Sequence, residues 1–496
     1  MSVSDSNGFA LSYEYDVAGN KTKMKSPDGS TVTYTYDPNN RLSAMVSDAG
    51  RFEFEYDPVG KRTKLSYPNG AYAAYSYDSA GRLTDLGHKM AGGSIIDSFT
   101  YTHDNVGNRL AKTTPERTIS YSYDKLYQLL EALSSTPGSS TEKNKGKGSG
   151  QENATWNQRE FYTYDPVGNR LTSEHNRLYE YNEGNELVID NENRYEYDGN
   201  GNLVSKTGAE GTTNYFHDYE NRLIQVNMPD GTVVSFRYDP FGRRIEKSVD
   251  GVRTRYFYDS EDILFEYDEA GIIGNKYIHG PGIDEPLALI NNKGVYYYHA
   301  DGLGSIVALT DSSAKVVQEY EYDSFGKLHD QQNRIKQPYT FTGREWDRET
   351  GLYYYRARYY EAGVGRFISF DPMGHSDINS SGSSCSKGIL GFSQEGPQKL
   401  NPFLYAGNNP AKMIDPFGLT YLDTVTQWHM QCTKLPTAEK RCECHCVYAS
   451  DDQGCIRGCL KCFSSPRPLS TYELCMCTCK VAELENCDCI CKLVTQ

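Results

Sequence analysis

The sequence predicts an all-β fold, a spiralling antiparallel β-sheet built from repeated hairpins, and three observations carry that prediction. Tyrosine dominates the aromatic residues, at 41 against 18 Phe and 3 Trp. It suits a half-buried pleated face, because its ring packs while its hydroxyl stays in water. The 45 glycines stand mostly where the chain must turn. A short unit also recurs at a nearly constant interval, which is the mark of a repeat architecture.

Each unit is an alternating strand ending in Tyr-Asp, a turn, and a second strand that opens on Arg/Lys-Leu. YEYDVAGNKTKM, FEFEYDPVGKRTKL, YTYDPVGNRLTS and FRYDPFGRRIEK are examples. The aspartates are Asp16, Asp37, Asp57, Asp78, Asp104, Asp124, Asp165, Asp198, Asp218, Asp239 and Asp259, and most intervals are 20 or 21 residues. Alternation puts Tyr13 and Tyr15 on one face and the residue between them on the other. In Asp-x-x-Gly-Asn the Asp side chain caps its own turn and Gly supplies a positive φ. A lone hairpin is marginal in water, so the units are expected to share ladders in one long, twisting sheet.

Residues 134–156, SSTPGSSTEKNKGKGSGQENATW, interrupt the period, and their Ser/Gly/Lys composition predicts a surface loop. After Tyr296 the text becomes more regular. His299 and Asp301 precede a Gly-Leu-Gly turn; such a pair can serve catalysis, but turn stabilisation is the better reading here.

Net charge is −15, which argues against a chain that coats nucleic acid. No run of 18 apolar residues occurs, so no membrane span is expected. The start, MSVSDSNGFALSYEYD, lacks a basic n-region and an apolar h-region. Export is therefore expected to use a signal-peptide-independent route, or delivery into target cells, from a chain that is cytoplasmic before export.

Thirteen of the 14 cysteines lie in residues 420–496. Three C-x-C-x-C triplets stand out: Cys442, Cys444 and Cys446; Cys475, Cys477 and Cys479; Cys487, Cys489 and Cys491. Alternate thiols on one face of an extended chain can share a soft ion such as zinc. A disulfide scaffold is the other reading, since so short a segment buries little core. No nucleophile–base pair is evident there, because His429 and His445 suit metal ligation as well as they suit general-base work.

The remaining stretch, residues 338–419, opens PYTFTGREWDRETGLYYYRARYYEAGVGRFISFDPMG and closes NPFLYAGNNPAKMIDPFGL. From spacing alone, its two Asp-Pro pairs at Asp371 and Asp415 read as turn formers. Two carboxylates brought together would behave differently: they share a proton, activate a water and protonate a leaving amide.

The repeated Y-D-x-x-G-N/R-R-L motif resembles the YD repeats of the Rhs family over about residues 11–419. That family includes bacterial polymorphic toxins, the C component of insecticidal toxin complexes, and teneurins. Residues 338–419 resemble the Rhs repeat-associated core domain through Thr342-Gly343-Arg344-Glu345, Thr350-Gly351-Leu352-Tyr353-Tyr354, Ala357-Arg358-Tyr359-Tyr360, Gly365-Arg366-Phe367, Asp371-Pro372 and Asp415-Pro416-Phe417-Gly418-Leu419. The resemblance implies a hollow shell (1–337), a core domain acting as an intramolecular aspartic protease (338–419), and a variable C-terminal payload (420–496). It implies Asp371 and Asp415 as the catalytic pair, Arg358 as the supporting cation, and Leu419–Thr420 as the bond cut. Arg344, Arg356 and Arg366 are alternatives to Arg358. It needs no cofactor for shell or protease. Its partners would be the chain's own payload, a further Rhs shell or secretion-system component, and an immunity protein. One departure is the Ser/Gly-rich insertion at 374–400, which leaves the distance between the two aspartates open. The rival reading is a non-catalytic surface or adhesion protein that binds glycans or neighbouring cells.

Overall fold

In a computed structural model of the chain, residues 2–4, 9–135, 159–174, 176–329, 334–372 and 400–419 are described. Among them, short antiparallel strands follow one another in strict chain order, each bonded to the next. Fifteen run from Ser2–Ser4 to Arg170–Ser173, and fifteen more from Tyr179–Tyr181 to Val316–Glu319. The break between these sheets is local, since the Tyr181 hydroxyl donates across it to the Arg170 carbonyl at 2.8 Å. Of the loop expected at 134–156, Ser134 and Ser135 belong to a strand and pair with Ile119 and Thr118, and residues 136–156 lie outside the described residues.

One turn explains the periodicity. Asp16 N–H donates to the Asn20 carbonyl at 3.0 Å, and Gly19 N–H donates to the Asp16 carbonyl at 2.9 Å. The Asp16 carboxylate accepts from the Asn20 backbone at 2.8 Å and from its side-chain amide at 2.7 Å. The pairing register slips by one residue just before the aspartate. This is a three-residue hairpin loop with a bulge, which needs a positive φ at its last position. Gly19 takes it at 79°, and Asn40, Tyr127 and Asn221 take it at 58°, 63° and 61°. Asp268 makes the same turn, although the sequence reading passed over FEYDEAG; Asp301 and Asp323 make it too.

Asp259 departs from the expected pattern. Its strand closes in a two-residue turn, with Asp259 paired to Asp262. With no loop of its own to cap, the carboxylate accepts from the Tyr13 hydroxyl at 2.8 Å and pairs with Lys21 at 3.1 Å, 238 residues away. It therefore ties the first sheet to the second.

The tyrosine before an aspartate commonly bonds backward. Tyr36, Tyr56, Tyr77, Tyr123, Tyr238 and Tyr258 donate their hydroxyls to the carbonyls of Lys21, Leu42, Arg62, Arg109, Leu223 and Arg244, at 2.6–2.9 Å. Each stitch joins one hairpin to the one before it. The basic residue four places after an aspartate often covers the next such ring: Arg41 lies 4.8 Å over Tyr56, and Arg243 lies 5.2 Å over Tyr258.

The spiral brings strands of the second sheet over those of the first, and the space between them is filled by side chains. Phe52 and Tyr67 meet Tyr297 edge-on at 6.1 and 6.2 Å, and Phe9 packs on Phe257, Phe265 and Tyr267. His88 and His299, both fully buried, face each other across this seam with Nδ1 atoms 3.2 Å apart. His88 Nε2 meets the Ala300 carbonyl at 2.8 Å and His299 Nε2 meets Thr310 Oγ1 at 2.9 Å, so one neutral tautomer of each ring satisfies every contact. Asp301 stabilises its turn as expected, accepting from Leu303 N–H at 2.9 Å, and also holds Lys112 of the first sheet at 2.7 Å.

Residues 338–372 and 400–419 close the structure as a plug. Its small sheet has the strands Glu345–Asp347, Leu352–Tyr355, Arg358–Glu361 and Arg366–Phe367. Both faces are buried, which accounts for the run LYYYRARYY. Leu352, Tyr354 and Tyr359 pack on Tyr195, Tyr215 and Phe236 of the second sheet, while Tyr353, Tyr355 and Tyr360 gather round Phe341, Phe367 and Tyr405. Residues 401–412 then run along the edge where the aspartate turns line up. Asn409 donates to Asn108 at 3.1 Å, Asn408 to Gln128 at 3.0 Å and Asn401 to Asn169 at 2.6 Å. Under this track the residue four after each aspartate is an amide. At Arg41, Lys61, Arg82 and Arg243 it is a cation that reaches the next turn's carbonyl instead.

Two outcomes are expected. Replacing Tyr258 by Phe removes one backward stitch and leaves a buried carbonyl unpaired; the cost should be about 1–2 kcal/mol in a denaturant titration. Burial holds His88 down at about 4, and holds His299 below the ordinary histidine range. Unfolded histidines take their proton near pH 6.5, so the stability these rings contribute is present above that pH and is lost as pH falls towards 4. The denaturation midpoint should therefore drop across this window, and His88→Gln should flatten the slope. A slope unchanged by the substitution would contradict the assignment.

Candidate active site

The residues Asp415 to Leu419 lie across the tight turn that joins two strands of the plug. Tyr355 and Arg358 pair as the ends of that turn, and Arg356 inside it adopts φ 56°. Three successive residues grip three successive carbonyls. The Arg356 guanidinium donates to Pro416, Ala357 N–H donates to Phe417 at 3.2 Å, and Arg358 Nε donates to Gly418. Gly418 is required by this contact: its φ is 65°, and a Cβ there would lie 2.4 Å from the Tyr355 carbonyl oxygen. Asp415 Oδ1 then accepts from Leu419 N–H at 3.0 Å. The chain is held on both sides up to the residue that precedes Thr420.

Asp371 arrives from the other end of the plug. Ile368 accepts a backbone hydrogen bond from Leu203 at 2.9 Å, and Phe370 packs on Phe403 and against Gly201, where no side chain stands in its way. The aspartate that follows is thereby set beside Arg358. Arg358 Nη2 lies 3.1 Å from Asp371 Oδ2 and 3.4 Å from Asp415 Oδ2, and Nη1 donates to the Pro402 carbonyl at 2.7 Å. The guanidinium stacks on the Phe367 ring at 3.7 Å. One buried cation thus bridges both carboxylates and the carbonyl of Gly418.

The electrostatics follow from burial. Asp415 is pushed up to about 6, first by loss of water and further by Asp371; Arg358 and the N–H groups of Leu419 and Gly418 pull the other way. Burial also lowers Arg358, against the pull of the two carboxylates. A carboxyl that keeps its proton up to about pH 6, beside a second carboxyl within reach of the same cation, can exchange protons with a water.

The other arginines of the plug have different tasks. Arg344 pairs with Asp284 at 2.7 Å, and Arg366 donates to Asn169 at 3.0 Å and lies 4.8 Å over Tyr181. Arg356 pairs with Asp284 at 2.8 Å and holds Pro416. Sequence reasoning placed Arg358 between the aspartates only through the resemblance, and it missed Asp284, whose loop IHGPGIDE carries no motif that ties it to the plug. Thr420, most of the insertion, and Cys442, Cys444, Cys446, Cys475, Cys477, Cys479, Cys487, Cys489 and Cys491 lie outside the described residues.

A family model described as the teneurin YD-shell matches residues 149–410, more than half of the chain, and the RHS repeat model matches three stretches within residues 1–95. The chain belongs to the Rhs/YD-repeat family. Among curated relatives of this Rhs chain, the tRNA nuclease WapA of Bacillus subtilis is 34% identical over 271 residues, 52% of this chain and 11% of the relative. Double-stranded DNA deaminase toxin A of Burkholderia cenocepacia is 28% identical over 395 residues, 71% of this chain and 26% of the relative. Among solved structures, the Photorhabdus luminescens Tc holotoxin pore matches with a TM-score of 0.63 at 19% identity, over 84% of this chain and 21% of that one. The Rhs chain therefore spans about a tenth to a quarter of the length of these proteins. The structural match shows the shared β-shell fold. No helix among the described residues is long and apolar enough to cross a membrane.

Gly418→Ala should expel the Gly418 carbonyl from Arg358 without unfolding the shell. Amide exchange at Leu419 should speed by about tenfold or more, since its acceptor on Asp415 is lost. Exchange as slow as in the unaltered chain would show that the segment is not held by this contact.

Proposed function

We propose that this chain is the shell and release device of an Rhs-type toxin: Asp371 and Asp415 hydrolyse the Leu419–Thr420 bond and free the C-terminal segment 420–496. The observation that carries the proposal is the single guanidinium of Arg358, in contact with both carboxylates and with the carbonyl one residue before Leu419. Held there, the chain need not be captured from solution, which removes the entropic part of the barrier.

The roles follow from environment. Asp371 is partly exposed and ion-paired, so it is the base that takes a proton from water as the water oxygen attacks the Leu419 carbonyl carbon. Asp415 is buried and proton-retaining, so it is the acid that gives its proton to the departing Thr420 nitrogen. The C–N bond breaks, leaving an amine on Thr420 and a carboxylic acid on Leu419, and the proton of that acid and the proton on Asp371 are lost to solvent. The reaction turns over once.

Relatives named as a tRNA nuclease and a DNA deaminase toxin support an enzymatic payload, and residues 420–496 are the candidate for it. Its cysteines would then be held by zinc or by disulfides formed after export, and a neutralising partner would protect the producing cell. Because strands of the two sheets fill the space between them with side chains, room for such a payload would come from further shell segments of the same or another chain.

On a denaturing gel, purified protein should show two fragments separated after Leu419, and Asp371→Asn and Asp415→Asn should each leave it whole. A wild-type chain of full mass would defeat the proposal and would favour an adhesive surface protein. The rate should also respond to pH with a definite sign. Asp415 holds its proton below about 6. Above that the acid is lost, and cleavage followed during cell-free synthesis should slow by about tenfold per pH unit.

A further inference from the structure

Asp284 is buried, at φ 51°, in the loop between the strands Ile273–His279 and Pro286–Asn291 of the second sheet, 131 residues before Asp415 in the chain. Its carboxylate accepts from Arg344 Nη1 at 2.7 Å and from both ends of the Arg356 fork, at 2.8 and 3.3 Å. Burial alone would raise Asp284, and the two guanidiniums overcome it and hold the carboxyl below its ordinary value. The loop cannot drift: Gly343 abuts it so closely that a Cβ there would come within 2.2 Å of the Asp284 carbonyl oxygen. Next to it, Glu285 grips Arg62 of the first sheet and caps Gly282 N–H at 2.7 Å. The anchor is therefore tied to both sheets of the shell.

What Asp284 anchors is the first of the three carbonyl grips. The Arg356 fork that it holds donates to the Pro416 carbonyl, and the Phe417 ring lies 5.0 Å from the same guanidinium. Arg358, two residues on, donates to Gly418 and bridges the aspartates. The two arginines meet the segment two carbonyls apart, so a shift of the first moves the bond presented to the second. Resting on the reading that this chain cleaves itself after Leu419, we propose that Asp284, acting through Arg356, is the positioning residue that sets which peptide bond stands before the two aspartates. The geometry makes the shell wall part of the cleavage machinery: the plug is competent only when it is seated on the loop around Asp284.

The backbone suits informative substitutions. Arg356 already sits at φ 56°, so Arg356→Gly is unstrained and leaves a guanidinium-sized gap. Asn also tolerates the conformation of Asp284, so Asp284→Asn removes charge with little change of shape. The full chain is synthesised in a cell-free system; the rate of fragment appearance is followed, and the first residue of the released fragment is read by mass. Each variant should slow cleavage by about tenfold or more, release fragments that start on either side of Thr420 as well as at it, and lower the denaturation midpoint, since each leaves a buried ion short of a partner. Added ethylguanidinium should speed Arg356→Gly several-fold and leave the wild type unchanged, a rescue that a merely structural loss would not allow. Cleavage of both variants at the wild-type rate and at a single bond overturns the inference, while the proposed function stands if Asp371→Asn and Asp415→Asn remain whole. A wild-type chain that stays intact overturns both.

Discussion

The structure depends on an aspartate whose carboxylate is used up by its own turn. By accepting from the backbone four residues later, and often from that residue's side chain, such an aspartate fixes a three-residue loop and a one-residue slip in register. That slip is the same in hairpin after hairpin, so successive pairs turn by similar amounts and the sheet grows as a spiral. At most repeats the tyrosine beside the aspartate then locks its hairpin to the one before. Stability is thus distributed along the wall in nearest-neighbour steps of the order of 1 kcal/mol each, as in other repeat architectures.

A spiral of this kind must manage its interior charge. The strands after the turns carry Lys21, Arg62, Lys112, Arg244 and Lys276 inward, and each finds a carboxylate far away in the chain, on a strand (Asp259, Asp347) or in a turn or loop (Glu285, Asp301, Asp48). These pairs add little net stability, because desolvation offsets most of their attraction. What they do set is how the second sheet and the plug register on the first, since a buried ion left unpaired costs several kcal/mol. The plug uses the same rule. Asp284 answers two arginines, and Arg358 answers two aspartates.

At the candidate site that rule is broken in one place. Asp415 has too little positive charge for its burial, because it shares Arg358 with Asp371, and its carboxyl stays protonated up to about 6. Elsewhere Asp284 and Asp347 are held below their ordinary values by a full complement of cations, whereas burial raises Asp97, to about 6, and Asp323, to about 8. It is therefore the shared contact with Arg358 and not the shift that distinguishes Asp415.

Much of this was written in the chain itself. The Tyr-Asp unit, its glycine or asparagine at the positive-φ position, and the alternation of tyrosine dictate hairpins, their turn type and their stacking, because all of these depend on residues within one or two turns of each other. Asp268 could have been found by the same pattern. Asp259 could not: it carries the motif, but the two-residue turn after it frees the carboxylate for a partner 238 residues away. The pairing of His88 with His299, the amide track under residues 401–412, the contact of Arg358 with both aspartates, and the pairing of Asp284 with Arg344 and Arg356 were decided only when the spiral closed. Those contacts join residues with no fixed spacing in sequence, and which of several like charges meet is settled by the shape of the wall between them.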